Sequence, residues 1–102
     1  MSITELIQAL APLEACDNPD EIAALLEREG IAGYRGSNLD CPIARYLNTQ
    51  LKLDRAVFVG PFSCSLRGEP DYLPTPPVVE AFMDRFDMSF YPQLLDPAGS
   101  LA

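Results

Sequence analysis

Hydrophobic positions along the chain follow two periods, and the change from one to the other sets out the architecture. Near the N-terminus Ile3, Leu6, Ile7 and Leu10 recur at helical spacing. They predict an amphipathic helix over residues 3–11, ended or kinked by Pro12. The second helix is marked by chemistry as well as by period. Asn18 is a good N-cap, Pro19 suits the first helical position, and Asp20 and Glu21 complement the helix dipole. Ile22, Leu25 and Leu26 supply its apolar stripe, and Gly30 stops it as a C′ glycine that Ile31 can cover.

The stretch Arg35–Leu47 joins turn chemistry to a helix start. Gly36 tolerates positive φ, while Ser37, Asn38 and Asp40 can hydrogen-bond their own backbone. Pro42 then opens a helix over about 42–51, with Ile43, Leu47 and Leu51 on one face and Ala44 beside them. Cys41 is thereby placed at or next to the N-cap. Beyond this helix the period falls to two. Arg55–Val59 is a β-rich run, Gly60-Pro61 interrupts it, and Phe62, Cys64 and Leu66 alternate with Ser63, Ser65 and Arg67. Two runs this close predict an antiparallel hairpin, and a two-stranded sheet must pack on helices to be stable. Ile31–Tyr34 is the candidate for a third strand.

Residues 68–77 hold four of the ten prolines and predict a rigid connector. Thr75 is placed to cap the last helix, with Pro76 and Pro77 in its first turn. Val78, Val79, Phe82, Met83 and Phe86 give that helix a bulky face, Leu94 and Leu95 pack as a short turn, and 96–102 fray. The pattern predicts one α+β domain over residues 1–102, with about four helices packed on a two- or three-stranded antiparallel sheet. Within it, 1–30 form a helical pair, 31–67 the central helix and hairpin, 68–77 the connector and 78–95 the closing helix.

Composition narrows the function. A hydrophobic share of 48% with 22% charged residues is that of a folded chain. No apolar run approaches the roughly 20 residues of a membrane span, and Met1–Glu5 lack the start of a secretion signal. These features predict a cytoplasmic protein. The net charge of −8 repels phosphate backbones and argues against general nucleic-acid binding. Residues 1–34 carry seven acids and one base, 35–67 two acids and five bases, and 68–102 six acids and one base. The basic middle is expected to fold against the acidic flanks; the alternative is a basic patch facing an anionic partner, with Arg35, Arg45 and Arg67 converging.

Histidine is absent, which removes His-based triads, His metal sites and the usual general base near neutral pH. Cys16, Cys41 and Cys64 form no CxxC pair and fit reduced thiols. Cys41 is the one catalytic candidate: a helix start favours its thiolate, whereas Asp40 opposes it and a packed thiol is the plainer alternative. No cofactor or metal is expected, since no spacing demands a site and Gly33-Tyr34-Arg35-Gly36 lacks the Lys-Ser/Thr of a phosphate loop. Tyr46, Tyr72, Phe90 and Tyr91, with Met88, exceed the obvious needs of one small core and are candidate interface anchors. Burial under the proline-rich crossing is the competing reading.

Taken together, Ile31–Gly36, Cys41-Pro42-Ile43-Ala44-Arg45-Tyr46-Leu47, and Phe86-Asp87 with Tyr91-Pro92-Gln93-Leu94 resemble a group of small bacterial proteins common in actinomycetes. The resemblance covers about residues 20–95, and the Cys-Pro-Ile-Ala block is its most specific part. It implies a cytoplasmic bacterial protein and carries no activity, ligand or catalytic residue. The functional expectation is a small acidic, non-enzymatic protein–protein interaction module, an adaptor or regulator. Its binding candidates are Arg35, Arg45, Tyr46, Tyr72 and Tyr91. Two alternatives stand beside it: a thiol-based redox switch or enzyme using Cys41, and an acidic inhibitor mimicking nucleic acid, which requires the acids to line one face.

Overall fold

The change of period becomes a helical layer and a sheet. A computed structural model describes residues 3–96. Three helices come first: α1 (Ile3–Glu14), α2 (Pro19–Arg28) and α3 (Pro42–Leu51). The strands β1 (Val57–Val59), β2 (Ser63–Leu66) and β3 (Tyr72–Pro74) follow, then α4 (Pro77–Asp87) and a 3₁₀ turn (Pro92–Leu94). The strands form one antiparallel sheet in the order β1-β2-β3. The chain is a single α+β domain of four helices and a three-stranded antiparallel sheet.

Local signals place the helix ends. The Asn18 side chain accepts from the Glu21 N–H at 3.0 Å. At the other end of α2, Gly30 (φ 71°) donates to the Glu27 carbonyl and Ile31 to the Leu26 carbonyl, the paired bonds of a Schellman stop. α1 runs past its expected end, through Pro12 to Glu14, because Leu13 continues the buried stripe of Leu6, Ala9 and Leu10. Ile7, expected on that stripe, is instead half exposed.

The third strand is not Ile31–Tyr34 but Tyr72–Pro74, inside the proline-rich segment. Pro74 is tolerated there because β3 is an edge strand. Ile31–Tyr34 is committed elsewhere: Gly33 donates to the Leu94 carbonyl and accepts from Asp96 N–H, both at 2.9 Å, forming an isolated parallel bridge. A Cβ on Gly33 would stand 2.5–2.6 Å from backbone atoms of Asp40, Cys41 and Pro42, so the close crossing requires glycine. The same bond anchors Asp96, where fraying was expected to begin; 97–102 lie outside the described residues.

Two further expectations change. Thr75 does not cap α4; Pro76 holds the N-cap position without a side-chain bond, and Thr75 is buried with Oγ1 donating to the Gly60 carbonyl at 2.7 Å. Phe62 does not join the inward face of β2. It sits in the turn, where Gly60 N–H closes onto the Ser63 carbonyl at 2.9 Å, and its ring points to solvent. The core gathers Val57, Val59, Cys64 and Leu66 from the sheet with Leu6, Leu10, Ile43, Leu47, Phe82 and Phe86 from the helices. α1 and α3 contact the sheet, and α4 packs on α1 and α2.

Candidate functional site

Strand pairing sorts the ten sheet residues by parity. Val57, Val59, Cys64, Leu66 and Leu73 face the helices, while Phe58, Ser63, Ser65, Tyr72 and Pro74 face away. Phe58, Ser65 and Tyr72 lie in one register row across all three strands. Phe58 is 39% exposed, Tyr72 69% and Phe62, in the adjoining turn, 82%. The edge of the Phe58 ring lies over Gly60, where an added Cβ would meet Cε1 at 3.2 Å. Among the described residues these three rings stack on no other aromatic residue, in contrast to Phe82, which stacks on Phe86 and on Tyr91. None of the ten strand residues is charged. An aromatic, uncharged face of this kind is the composition of an interface centre.

The β1 edge of the sheet is closed to further strands, and the β3 edge is blunted. The Val57 and Val59 N–H groups on the free edge of β1 donate to Asn48 Oδ1 (3.2 Å) and to the Asn38 carbonyl (2.8 Å). Buried Asn48 also accepts from Ala56 N–H at 3.0 Å and donates to the Ala44 carbonyl at 2.9 Å, which leaves it satisfied. On the far edge Pro74 has no N–H to offer. Around the β3 edge the exposed surface continues into a groove of about 580 Å³ between α1 and the segment Leu73–Val78, bordered by Ile7, Leu10 and Pro74.

Cys41 is the N-cap of α3, as the sequence implies: Sγ accepts from the Ala44 N–H at 3.4 Å. The thiol is nevertheless 5% exposed, and burial pushes its pKa up from 9.0 to about 11, against the two N–H groups of Ile43 and Ala44 that favour the thiolate. Desolvation outweighs the helix end, which favours the plainer reading of Cys41, a protonated, packed thiol, over the alternative of a reactive thiolate. Burial likewise raises the Cys64 pKa, and all three cysteines are free. A cleft of about 260 Å³ reaches Cys41 between Pro61 and Met83, but Glu80, Asp84 and Asp87 border it and would oppose a thiolate there.

The remaining candidates separate. Tyr72 alone of the three named tyrosines is exposed. Tyr46 is buried, and Tyr91 is buried against Phe82 (5.3 Å between centroids) with its hydroxyl on Asp20 Oδ1 at 2.7 Å. The arginines do not converge. Arg35 bonds Ser89 Oγ; Arg45 pairs with Asp96 at 2.8 Å and lies over the Tyr34 ring; Arg67 donates to the Arg55 carbonyl. Arg45–Asp96 is one tie between basic middle and acidic tail, whereas Arg55–Asp40 (3.0 Å) pairs the middle with itself. A cleft of about 600 Å³ is lined by both pairs and by Asn48, and these groups are already engaged. Among the described residues no acid, cysteine or histidine cluster could hold a metal ion, and no helix is long and apolar enough to cross a membrane.

Phe58 and Phe62 are the site residues that sequence reasoning passed over. The alternation Val57-Phe58-Val59 already put Phe58 opposite two core valines, which is the available signal. Phe62 offered none, since its parity with Cys64 pointed inward. Comparison with protein-family models, curated proteins and solved structures gives no match.

Proposed function

We propose that this chain is a small acidic, non-enzymatic interaction module, an adaptor or regulator of the bacterial cytoplasm, that binds another protein through the outer face of its sheet. The observation that carries the reading is the row Phe58–Ser65–Tyr72 with Phe62 beside it, exposed and uncharged on a molecule whose other face of the same sheet is sealed. Fully covering an exposed aromatic ring contributes roughly 1.5–3 kcal/mol; Phe62 and Tyr72 offer most of that each and Phe58, already partly covered, less, which together supports a reversible contact. The charge of −8 steers basic partners toward the molecule and disfavours its self-association. Cys41, packed and protonated, plays no part in this reading.

The test is affinity capture from host lysate under reducing conditions, using wild type, Phe58→Ala/Tyr72→Ala and Cys41→Ser side by side. A partner retained by wild type and Cys41→Ser and lost from the double variant is the expected result. Retention by the double variant removes the sheet face from the function, and loss in Cys41→Ser transfers the function to the thiol. Thermal midpoints of all three proteins check that folding is unchanged.

A further inference from the structure

We infer that the open edge of β3 receives a fourth strand, an extended, non-acidic segment of a partner protein that sets an apolar side chain in the groove beside α1. This rests on the protein–protein interaction proposed above and specifies how the partner attaches.

The hydrogen-bond pattern of the sheet leaves the needed backbone groups available. In the β2–β3 ladder the Thr75 N–H donates to the Phe62 carbonyl at 3.1 Å. That pair and, two residues on, Cys64–Leu73 are therefore the hydrogen-bonded ones, and Ser63–Pro74 and Ser65–Tyr72 alternate with them. The N–H and carbonyl of Tyr72 and the carbonyl of Pro74 thus point away from β2. Among the described residues no donor or acceptor meets them. On the opposite edge the outward N–H groups of Val57 and Val59 are taken by Asn48 and Asn38. The fold closes one edge and leaves the other open to strand addition.

The surroundings of this edge select the segment. On an added antiparallel strand the residues opposite Tyr72 and Pro74 join the outer side of the sheet, and the residue between them faces the helices beside Leu73. That inward position opens on the groove of about 580 Å³ bordered by Ile7, Leu10 and Leu73. Ile7 is half exposed there, and Leu73 is half-buried although it points to the helix side. One apolar side chain at the inward position covers both. Among the described residues Glu14 is the one charged side chain lining the groove. Glu69 and Asp71 lead into β3 on a molecule of net charge −8, so an acidic segment is repelled. Arg67 does not offset them at this edge, because it is turned toward the β1 side, onto the Arg55 carbonyl at 2.9 Å.

The same backbone groups disfavour a second copy as the occupant. Two β3 strands paired with Tyr72 opposite Pro74 leave the Tyr72 carbonyls unmet, since Pro74 has no N–H. Paired with Tyr72 opposite Tyr72, they set Pro70 against Pro74 and Asp71 beside Leu73, on the apolar side. A partner strand with an N–H at every position meets Tyr72 twice and Pro74 once, without the repulsion between two acidic copies.

The experiment uses a capped octapeptide of three threonine–valine repeats with a lysine at each end. Titrated into ¹³C,¹⁵N-labelled full chain, it should shift the Tyr72 amide proton downfield, saturably, as that group becomes a donor. An Hα–Hα cross-peak between peptide and Leu73 is expected, because Leu73 takes the non-hydrogen-bonded position of the new antiparallel pair. Replacing the valines by serine should weaken binding about tenfold or more. Ligation at Cys64 of residues 1–63 to a synthetic 64–102 allows N-methylation of Tyr72, which removes the edge N–H and keeps the ring. Binding should fall about tenfold or more against the ligated wild type. Ile7→Ser, on the half-exposed wall of the groove, should weaken binding about threefold or more at a little-changed thermal midpoint, and supplies the test if the N-methylated chain does not fold. Undiminished binding by a folded N-methylated chain or by Ile7→Ser, equal binding of the serine peptide, or no shift at Tyr72 up to millimolar peptide each overturns the inference. So does the same Tyr72 shift produced by protein concentration alone, which would seat a second copy at the edge. If a host partner depends on the Phe58 and Tyr72 side chains yet binds the N-methylated chain as it binds wild type, this inference falls and the interaction reading stands. Retention of that partner by Phe58→Ala/Tyr72→Ala removes the outer-face reading itself.

Discussion

On the helix side of the sheet, Val57, Val59, Cys64 and Leu66 are closed off beneath α1 and α3; on the other side, Phe58, Phe62 and Tyr72 meet solvent. The difference is not one of side-chain hydrophobicity, since Phe58 is far more apolar than Cys64. Parity in the strand chooses the face, and the helices available choose which face becomes core. A chain of this length builds one core, so a single sheet has one covered side. Whatever apolar surface parity assigns to the other side remains open. Here the strand residues of that side are aromatic or uncharged, a composition that costs solubility and calls for a reason.

The two faces should respond oppositely to truncation. Leu66→Ala, on the covered face, is expected to lose about 2–5 kcal/mol through lost burial and the cavity left behind, read as a lower urea midpoint at unchanged slope. A comparable loss from Phe58→Ala, without any effect on binding, would erase the contrast between the faces.

The covered side also carries a pH signature. Cys41 keeps its proton to about pH 11 when folded, whereas an exposed thiol in the unfolded chain gives it up near 9.0. Between those values the unfolded chain holds fewer protons, so stability falls as pH rises, and below this window the thiol adds no slope. The span corresponds to roughly 3 kcal/mol. Cys41→Ser removes the titration, and its stability measured against pH should decline less steeply than wild type above pH 9.0. Parallel curves would mean that Cys41 is not the desolvated thiol described.

The edge lies between the two faces in size of effect. Asn48→Ala strands the N–H groups of Ala56 and Val57 and should cost about 1–3 kcal/mol. Amide hydrogen exchange at those two positions should quicken more than at Cys64, on the central strand. Smallest is the outer turn: Phe62→Ser should move stability by less than about 0.5 kcal/mol while reducing partner capture. A marked loss of stability there would mean that Phe62 serves the fold and not a partner.

Much of this was legible in local chemistry. Asn18, Pro19 and Gly30 bracket α2, and Cys41 with Pro42 opens α3, because caps and stops close their hydrogen bonds within a few residues. The sheet's existence followed from its period of two. Its third strand did not: β3 lies in a segment whose prolines argue against a strand, and pairing with β2 decided it. The candidate site was read in the same uneven way. Tyr72 was identified, yet Tyr46 and Tyr91 were indistinguishable from it until Phe82 and Asp20 were seen to claim Tyr91.

By itself, then, the amino-acid order determined the four helices, both ends of α2 and the start of α3, the class of fold, the absence of histidine chemistry and the acidic charge. Each of these depends on residue type or on neighbours a few positions away. The tertiary structure alone decided which tyrosine faces solvent, that Cys41 is desolvated, that Gly33 is pinned by the crossing chain, and that among the described residues one aromatic sheet face has no cover. Those outcomes are set by contacts between segments distant in sequence, where burial and pairing override what any single stretch prefers.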